Sequence, residues 1–215
     1  MADQTVWAIV VAAGSGARFG AAKQYAELGG VSVLARSVSV ARAVCGGVVA
    51  VVPSEDASAP VAGADHVVAG GASRSASVRA GLAVVRADVA VIVVHDAARP
   101  LASASLWQSA IDAVRGGADA ALCGVPVTDT VKRVEGSRVV ATVSREGLVA
   151  VQTPQAFRAA ALRAAHASGG DATDDGALVE AAGGRVVIVE GSPTNVKITH
   201  PHDLVVARAL LEAGS

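Results

Sequence analysis

Lys23 and Lys197 are two of only three lysines in a chain that carries fifteen arginines. Where arginine dominates so strongly, a retained lysine points to a position that needs a compact ammonium. Lys23 stands just beyond Ala12-Ala13-Gly14-Ser15-Gly16-Ala17-Arg18-Phe19-Gly20, which follows the apolar run Val6–Val11. A glycine-rich turn after a strand lets backbone N–H groups approach an anion with no Cβ in the way. Arg18 and Lys23 then supply the charge that the backbone lacks, so the expected ligand is phosphate. The loop is not a P-loop, which ends in Gly-Lys-Ser/Thr. Nor is it a dinucleotide fingerprint, because Phe19 stands three residues after Gly16. It therefore suggests a nucleotide enzyme of a third kind.

Three further stretches carry polar chemistry. Gly70-Gly71-Ala72-Ser73-Arg74-Ser75-Ala76-Ser77-Val78 places two glycines before a Ser-capped helix, a natural site for an anion or a base edge. His95-Asp96-Ala97-Ala98-Arg99-Pro100 puts an acid at the end of an apolar run. Asp96 there either holds Mg²⁺ or pairs with Arg99, and the phosphate-type loop favours the metal. His95 is expected to be structural rather than a general base, since a phosphate nucleophile is already ionised at neutral pH. Ser192-Pro193-Thr194-Asn195-Val196-Lys197-Ile198-Thr199 brings a third cation to the set. Thr153-Pro154-Gln155 and Thr173-Asp174-Asp175 complete the polar inventory. For the two aspartates, a helix N-cap and a first-turn acid are simpler roles than metal ligation. Lys132 is placed on a polar hairpin, where a plain surface role is as reasonable as a functional one.

These groups need a frame. Short Val-rich runs at Val6–Val11, Val48–Val52, His66–Val68, Val89–Val94, Ala120–Val125 and Val186–Val189 read as strands. Their near-continuous apolar character suits strands buried on both faces of a parallel sheet. Helical patterns fill Val31–Val44, Ser73–Val85, Ser103–Arg115, Ala156–Ala167, Asp174–Ala182 and Pro201–Glu212. Ser103 and Asp174 suit N-caps, and Pro201 suits a first turn. The expected fold is α/β, Rossmann-like and doubly wound, with ligands at the C-terminal strand ends. One segment breaks the alternation. Asp129–Val134 and Arg138–Val143 flank Glu135-Gly136-Ser137, which predicts a β-hairpin. With few residues to bury on its own domain, this arm, at about 126–148, is expected to pack on a second subunit.

The bulk numbers limit the alternatives. The 215 residues suit one domain, 1–215, and a hydrophobic fraction of 52% with 2% aromatics demands an aliphatic core. A net charge of −1 offers no field for nucleic acid or an anionic membrane. Cys45 and Cys123 lie in apolar surroundings and are expected to be buried free thiols in a reducing, cytoplasmic setting. No basic leader and no apolar run of membrane-spanning length is apparent.

In order, AAGSGARFG…KQY, GGASRSASV, HDAARP, PVTDTVKR, SREGL, TPQAF, TDD and NVKIT make the chain resemble the 2-C-methyl-D-erythritol 4-phosphate cytidylyltransferase family. The resemblance runs from about residue 6 to about 210. It implies a nucleotidyltransferase-like α/β sheet with a dimerising arm, CTP as substrate and Mg²⁺ as cofactor. By this resemblance Ala12, Ala13, Gly14 and Gly16 line the CTP site, and Gly71 and Ser77 contact cytosine. Arg18 and Lys23 stabilise charge on the α-phosphate. Asp96 holds Mg²⁺ and substrate hydroxyls, and Lys197 positions the methylerythritol phosphate as nucleophile. Thr130 and Arg145 bind that phosphate from the partner's arm. Two departures are Ala22, where relatives commonly carry Pro, and Thr194, where many carry an acid. A ribitol 5-phosphate cytidylyltransferase would share every CTP motif, and a non-catalytic nucleotide-sensing domain is the rival from another class. Some relatives are fused to a second enzyme of the pathway. With the chain closing at Ser215, that activity is not expected here.

Overall fold

A computed structural model describes residues 3–14, 16, 18–167 and 169–214. Seven strands form one sheet: β1 (Asp3–Val11), β4 (Cys45–Val52), β5 (His66–Ala69), β6 (Val91–Asp96), β7 (Ala120–Pro126), β10 (Val149–Arg158) and β11 (Val186–Glu190). Their order across the sheet is β11-β7-β10-β6-β1-β4-β5. All neighbours run parallel except β10, which is antiparallel to both β6 and β7. Two small ribbons lie outside it: β2 (Glu27–Leu28) with β3 (Val31–Ser32), and β8 (Val131–Glu135) with β9 (Arg138–Val143).

The Val-rich runs are continuous because both sheet faces are covered. Successive side chains of a strand point to opposite faces. Val6, Ala8 and Val10 of β1 therefore enter one core, and Trp7 and Ile9 the other. The first core is closed by α1 (Val33–Val44) and α3 (Ala104–Arg115), whose Trp107 is fully buried. The second is closed by α2 (Arg74–Val84), α4 (Ala159–Ala167) and α5 (Asp175–Ala181). A small third cluster, Leu28, Val33, Ile198 and Ala207, lies beneath α6 (Pro201–Glu212). Few aromatics are needed, since Val, Ala and Leu fill the space between layers.

The N-caps fall where the sequence puts them. Ser103 accepts from Leu106 N–H, Asp174 from Ala177 N–H, and Ser73 from Ala76 N–H. Pro201 opens α6. Cys45 and Cys123 are buried and form no disulfide. Among the described residues, no helix is long and apolar enough to cross a membrane.

Two expectations are corrected. The stretch Ala156–Ala167 is not one helix: Ala156–Arg158 ends β10, and only Ala159–Ala167 is helical. β10 is the missing central strand, hidden in sequence by Pro154. The register along β7 shifts between Gln152 and Gln155, so Thr153-Pro154 drops out of the ladder and proline displaces no pairing bond. The helix expected from Val31 starts at Val33, because Val31–Ser32 pair with Glu27–Leu28 and Ser32 caps the helix.

Candidate active site

The order of strands reverses between β1 and β6, where open α/β sheets bind ligands. Val11 and Asp96 are register partners there, so the end of β1 delivers Ala12–Gly14 beside the acid that ends β6. α2 adds its N-terminal turn, and the loop after β11 adds Lys197. These parts line a cavity of about 530 Å³. Its walls include Ala12, Ala13, Gly14, Arg18, Lys23, Gly71, Ser77, Asp96 and Lys197, nine of the residues expected from the sequence.

Gly16 does not line it. Its carbonyl accepts from Phe19 and Gly20, at 2.7 and 3.0 Å, closing the turn that carries Arg18. The φ of Gly16 is +64°, and a Cβ there would lie 2.1 Å from the Ala21 carbonyl oxygen, so only glycine fits. Ser15 and Ala17 of this loop lie outside the described residues. Across the cleft, the Ser77 hydroxyl accepts from Gly71 N–H at 3.1 Å and donates to the Ser73 carbonyl at 2.9 Å. This ties the Gly70-Gly71 turn to the first turn of α2.

The charges converge on Asp96. Its carboxylate, in a residue only 9% exposed, accepts from Lys197 Nζ at 2.6 Å and from Arg74 Nε at 3.1 Å. Burial would raise the Asp96 carboxyl, but the charges of Arg74 and Lys197 outweigh it and hold the group well below the usual carboxylate range. Asp96 does not pair with Arg99, the alternative left open by the sequence. Arg99 instead donates to the Asn195 carbonyl at 2.7 Å. Lys23 Nζ donates to the Ile198 carbonyl at 2.9 Å, which joins the first loop to the last. Burial, then the charges of Lys197 and Arg18, lower the pKa of the Lys23 ammonium. Cations have thus been gathered here against their mutual repulsion, a state that an incoming polyanion relieves.

Behind the acid lies a buried polar layer. His95 is 1% exposed, and burial, the leading cause, lowers its pKa to about 4. Its ring is therefore neutral at pH 7 but too weak a base to hold an abstracted proton, which suits the structural role expected. The Asp96 N–H donates to Thr153 Oγ1 at 3.0 Å, Thr153 Oγ1 meets His95 Nδ1 at 3.3 Å, and His95 Nε2 meets the Arg99 carbonyl at 3.2 Å. A carbonyl only accepts, so Nε2 carries the hydrogen and Nδ1 accepts from the threonine. Asn195 donates to Gln152 Oε1 and to the Thr153 carbonyl, at 3.1 and 2.9 Å, clamping the Lys197 loop to β10.

Thr130 and Arg145 are elsewhere. Both belong to the arm and neither lines the cavity. Among the described residues, β8 and β9 pair only with each other, and Arg145 Nη1 donates to the Thr128 carbonyl. Lys132 is exposed and donates to Thr142 Oγ1 at 2.6 Å. Sequence patterning assigns no role to Arg74 and only a first-turn one to Asp175, yet the two form an ion pair at 2.7 Å. The one available signal for Arg74 is its place directly after the N-cap Ser73 in an anion-binding turn.

Comparison with known proteins identifies the family. The sequence profile of the 2-C-methyl-D-erythritol 4-phosphate cytidylyltransferase family matches residues 6–213. A 2-C-methyl-D-erythritol 4-phosphate cytidylyltransferase of Rhodococcus jostii is 45% identical over 219 residues, covering 98% of this chain and 96% of the relative. A bifunctional enzyme IspD/IspF of Anaeromyxobacter dehalogenans is 50% identical over 227 residues, and there the match covers 98% of this chain but 58% of the relative. The crystal structure of a 2-C-methyl-D-erythritol 4-phosphate cytidylyltransferase from Thermus thermophilus superposes with a TM-score of 0.82 at 36% identity, covering 95% of this chain and 98% of that one. On its sequence and its fold, the chain belongs to the 2-C-methyl-D-erythritol 4-phosphate cytidylyltransferase family.

Proposed function

We propose that the protein transfers CMP from CTP to 2-C-methyl-D-erythritol 4-phosphate, releasing pyrophosphate and forming the CDP-polyol of the non-mevalonate isoprenoid route. The observation that carries this is the convergence of Arg18, Lys23 and Lys197 on one cavity whose only acid among its lining residues is Asp96. Two polyanions must meet there, and the cations lower the repulsion between them. An oxygen of the polyol phosphate attacks the α-phosphorus of CTP. A new P–O bond forms as the bond to the β-phosphate bridging oxygen breaks, and pyrophosphate leaves. The nucleophile is ionised at pH 7, so no base is required, and the buried His95, with its pKa lowered to about 4, is too weak a base to supply one.

Each residue then has a role. Lys23, held by the Ile198 carbonyl, and Arg18 face the α-phosphate, where charge grows during attack. Lys197 orients the attacking phosphate. Gly71, Ser77 and the Ala12–Gly14 turn form the wall against which the nucleoside and phosphates lie. Asp96 suits Mg²⁺, since one ionised carboxylate together with phosphate oxygens is a usual donor set for that ion. When bound, Mg²⁺ would neutralise charge on the phosphates of CTP. Catalysis then consists of positioning and electrostatics, with no covalent intermediate.

The working unit is a homodimer in which the arm of one subunit delivers Thr130 and Arg145 to the other's cleft. Support comes from an arm that, among the described residues, pairs only with itself and leaves Val134 and Val139 more than half exposed, at 54% and 57%. A cytoplasmic setting fits the two buried, unbridged cysteines. The test is pyrophosphate release with CTP and Mg²⁺, using methylerythritol 4-phosphate and ribitol 5-phosphate side by side. Turnover with ribitol 5-phosphate alone would overturn the substrate assignment. No turnover with either would favour a non-catalytic nucleotide-binding domain.

A further inference from the structure

Asp175 is a charged residue that the proposed chemistry leaves unused. It opens α5, yet it is fully buried, at 0% exposure. A first-turn acid that only steadied its helix dipole would gain that effect at the surface. A buried carboxylate persists only when it is paired and hydrogen-bonded. Asp175 meets this condition on both oxygens: Oδ2 accepts from Arg74 Nη1 at 2.7 Å and Oδ1 accepts from His166 Nε2 at 2.9 Å. His166, from α4, is itself 4% exposed, and its buried Nδ1 has no hydrogen-bond partner among the described residues. The contact to Asp175 is therefore what orients the ring.

Arg74 spans two carboxylates. Its Nε reaches Asp96 and its Nη1 reaches Asp175, a use of the planar fork that a lysine cannot reproduce. Arg74 and Asp96 line the cleft, whereas Asp175 and His166 do not. Without Asp175, the long Arg74 side chain would hold Asp96 through one bond and swing about its terminal torsions. The surrounding chain braces this arrangement. Ser73 donates to Asp171 at 2.6 Å, Ala172 N–H to Ser75 Oγ at 3.2 Å, and Arg79 to the Gly170 carbonyl at 2.8 Å. The connection from α4 to α5 is thus stitched to the start of α2, and Asp175 is fixed relative to the helix that carries Arg74.

We infer that Asp175, seated by His166, is a positioning residue for cytidylyl transfer: it fixes the Arg74 guanidinium and, through it, the Asp96 carboxylate at the cleft. This rests on the function proposed above. The first test is Asp175→Asn in the full chain, which keeps size and one acceptor oxygen but removes the charge. The expected result is a kcat lower by roughly 10–100-fold, with little change in KM for CTP. A double-mutant cycle with Arg74→Gln separates positioning from general damage. The double variant should be no slower than Arg74→Gln alone, because Asp175 acts through Arg74. Losses that multiply would overturn the inference.

A second measurement needs no turnover. In the substrate-free protein, the ¹⁵N–¹H signal of Arg74 Nε should move in His166→Gln, a milder change that serves even where Asp175→Asn does not fold. An unmoved Arg74 signal in that variant would overturn the inference. The wild-type assay keeps the two proposals apart. Wild-type inactivity with both polyol phosphates counts against the function, while the Arg74 signal still decides the role of Asp175.

Discussion

Lys197 and Arg145 are expected to grip the same substrate phosphate, yet their surroundings are opposite. Lys197 sits in a loop clamped by Asn195 to β10 and by Ile198 N–H to the Ala98 carbonyl, with its ammonium 2.6 Å from the buried Asp96. Arg145 sits at the base of an exposed ribbon and bonds to a backbone carbonyl of its own arm. The cleft is thus fixed by one chain's core, whereas the arm has no core of its own to set where it points. An element that stays unburied within its subunit gains a defined place only from another surface. The proposed shared site in a symmetric dimer would supply that surface, because each arm would serve its neighbour.

The largest effect expected lies in the cleft. Lys23→Ala should lower kcat by roughly 10²–10³-fold, about 2.7–4 kcal/mol, as for loss of one preorganised donor to a developing anion. Steady-state kinetics check this. A higher KM with unchanged kcat would mean that Lys23 binds CTP equally in ground and transition states.

The second effect separates the regions by pH. The His95 pKa falls from 6.5 to about 4 in the fold, so between these values the unfolded chain takes up a proton that the folded one refuses. Stability should therefore decline as pH drops from 6.5 to 4, with no further loss from this residue below that. At about 1.4 kcal/mol per pH unit this is roughly 3 kcal/mol. Urea titrations across this range should show a shallower pH slope in His95→Gln. An equal slope would remove the buried ring as the cause.

The third prediction concerns the arm. Arg145→Ala should cost roughly 1.5–3 kcal/mol in transition-state binding, the range for a hydrogen bond to a charged group. Mixing Arg145→Ala with Lys23→Ala chains should restore activity, because one site of each heterodimer then keeps both residues. No recovery, with subunit exchange confirmed, would place Arg145 in its own subunit's site. The smallest energetic effect should come from Val139→Lys. Because Val139 is 57% exposed, subunit stability should shift by no more than about 0.5 kcal/mol. Analytical ultracentrifugation should nevertheless show a weakened dimer. An unchanged dimer would remove this face of the arm from the interface.

Much of this was legible in the chain because its signals are local. The Val-rich runs, the caps Ser103 and Asp174, and the glycine turns depend on near neighbours, and the structure keeps them. The hairpin was legible for the same reason. β10 was not: Thr153-Pro154 reads as a break, and only the sheet reveals a strand that steps out of register around it. The pairing of Asp96 was also beyond reach. Its sequence neighbour Arg99 turns away to Asn195, while the true partners stand 22 and 101 residues from it.

The sequence by itself picked out most of the residues that line the cleft, since glycine turns and retained lysines follow from backbone sterics and charge. It also determined that both sheet faces would be covered, since an uninterrupted apolar strand has no side for water. Only the tertiary structure decided which charges neutralise which. Burial makes each unpaired charge costly, so Asp96, Arg74, Asp175 and His166 found one another across four elements. Spacing along the chain carries no record of those distances, because the packing of the sheet and its helices creates them.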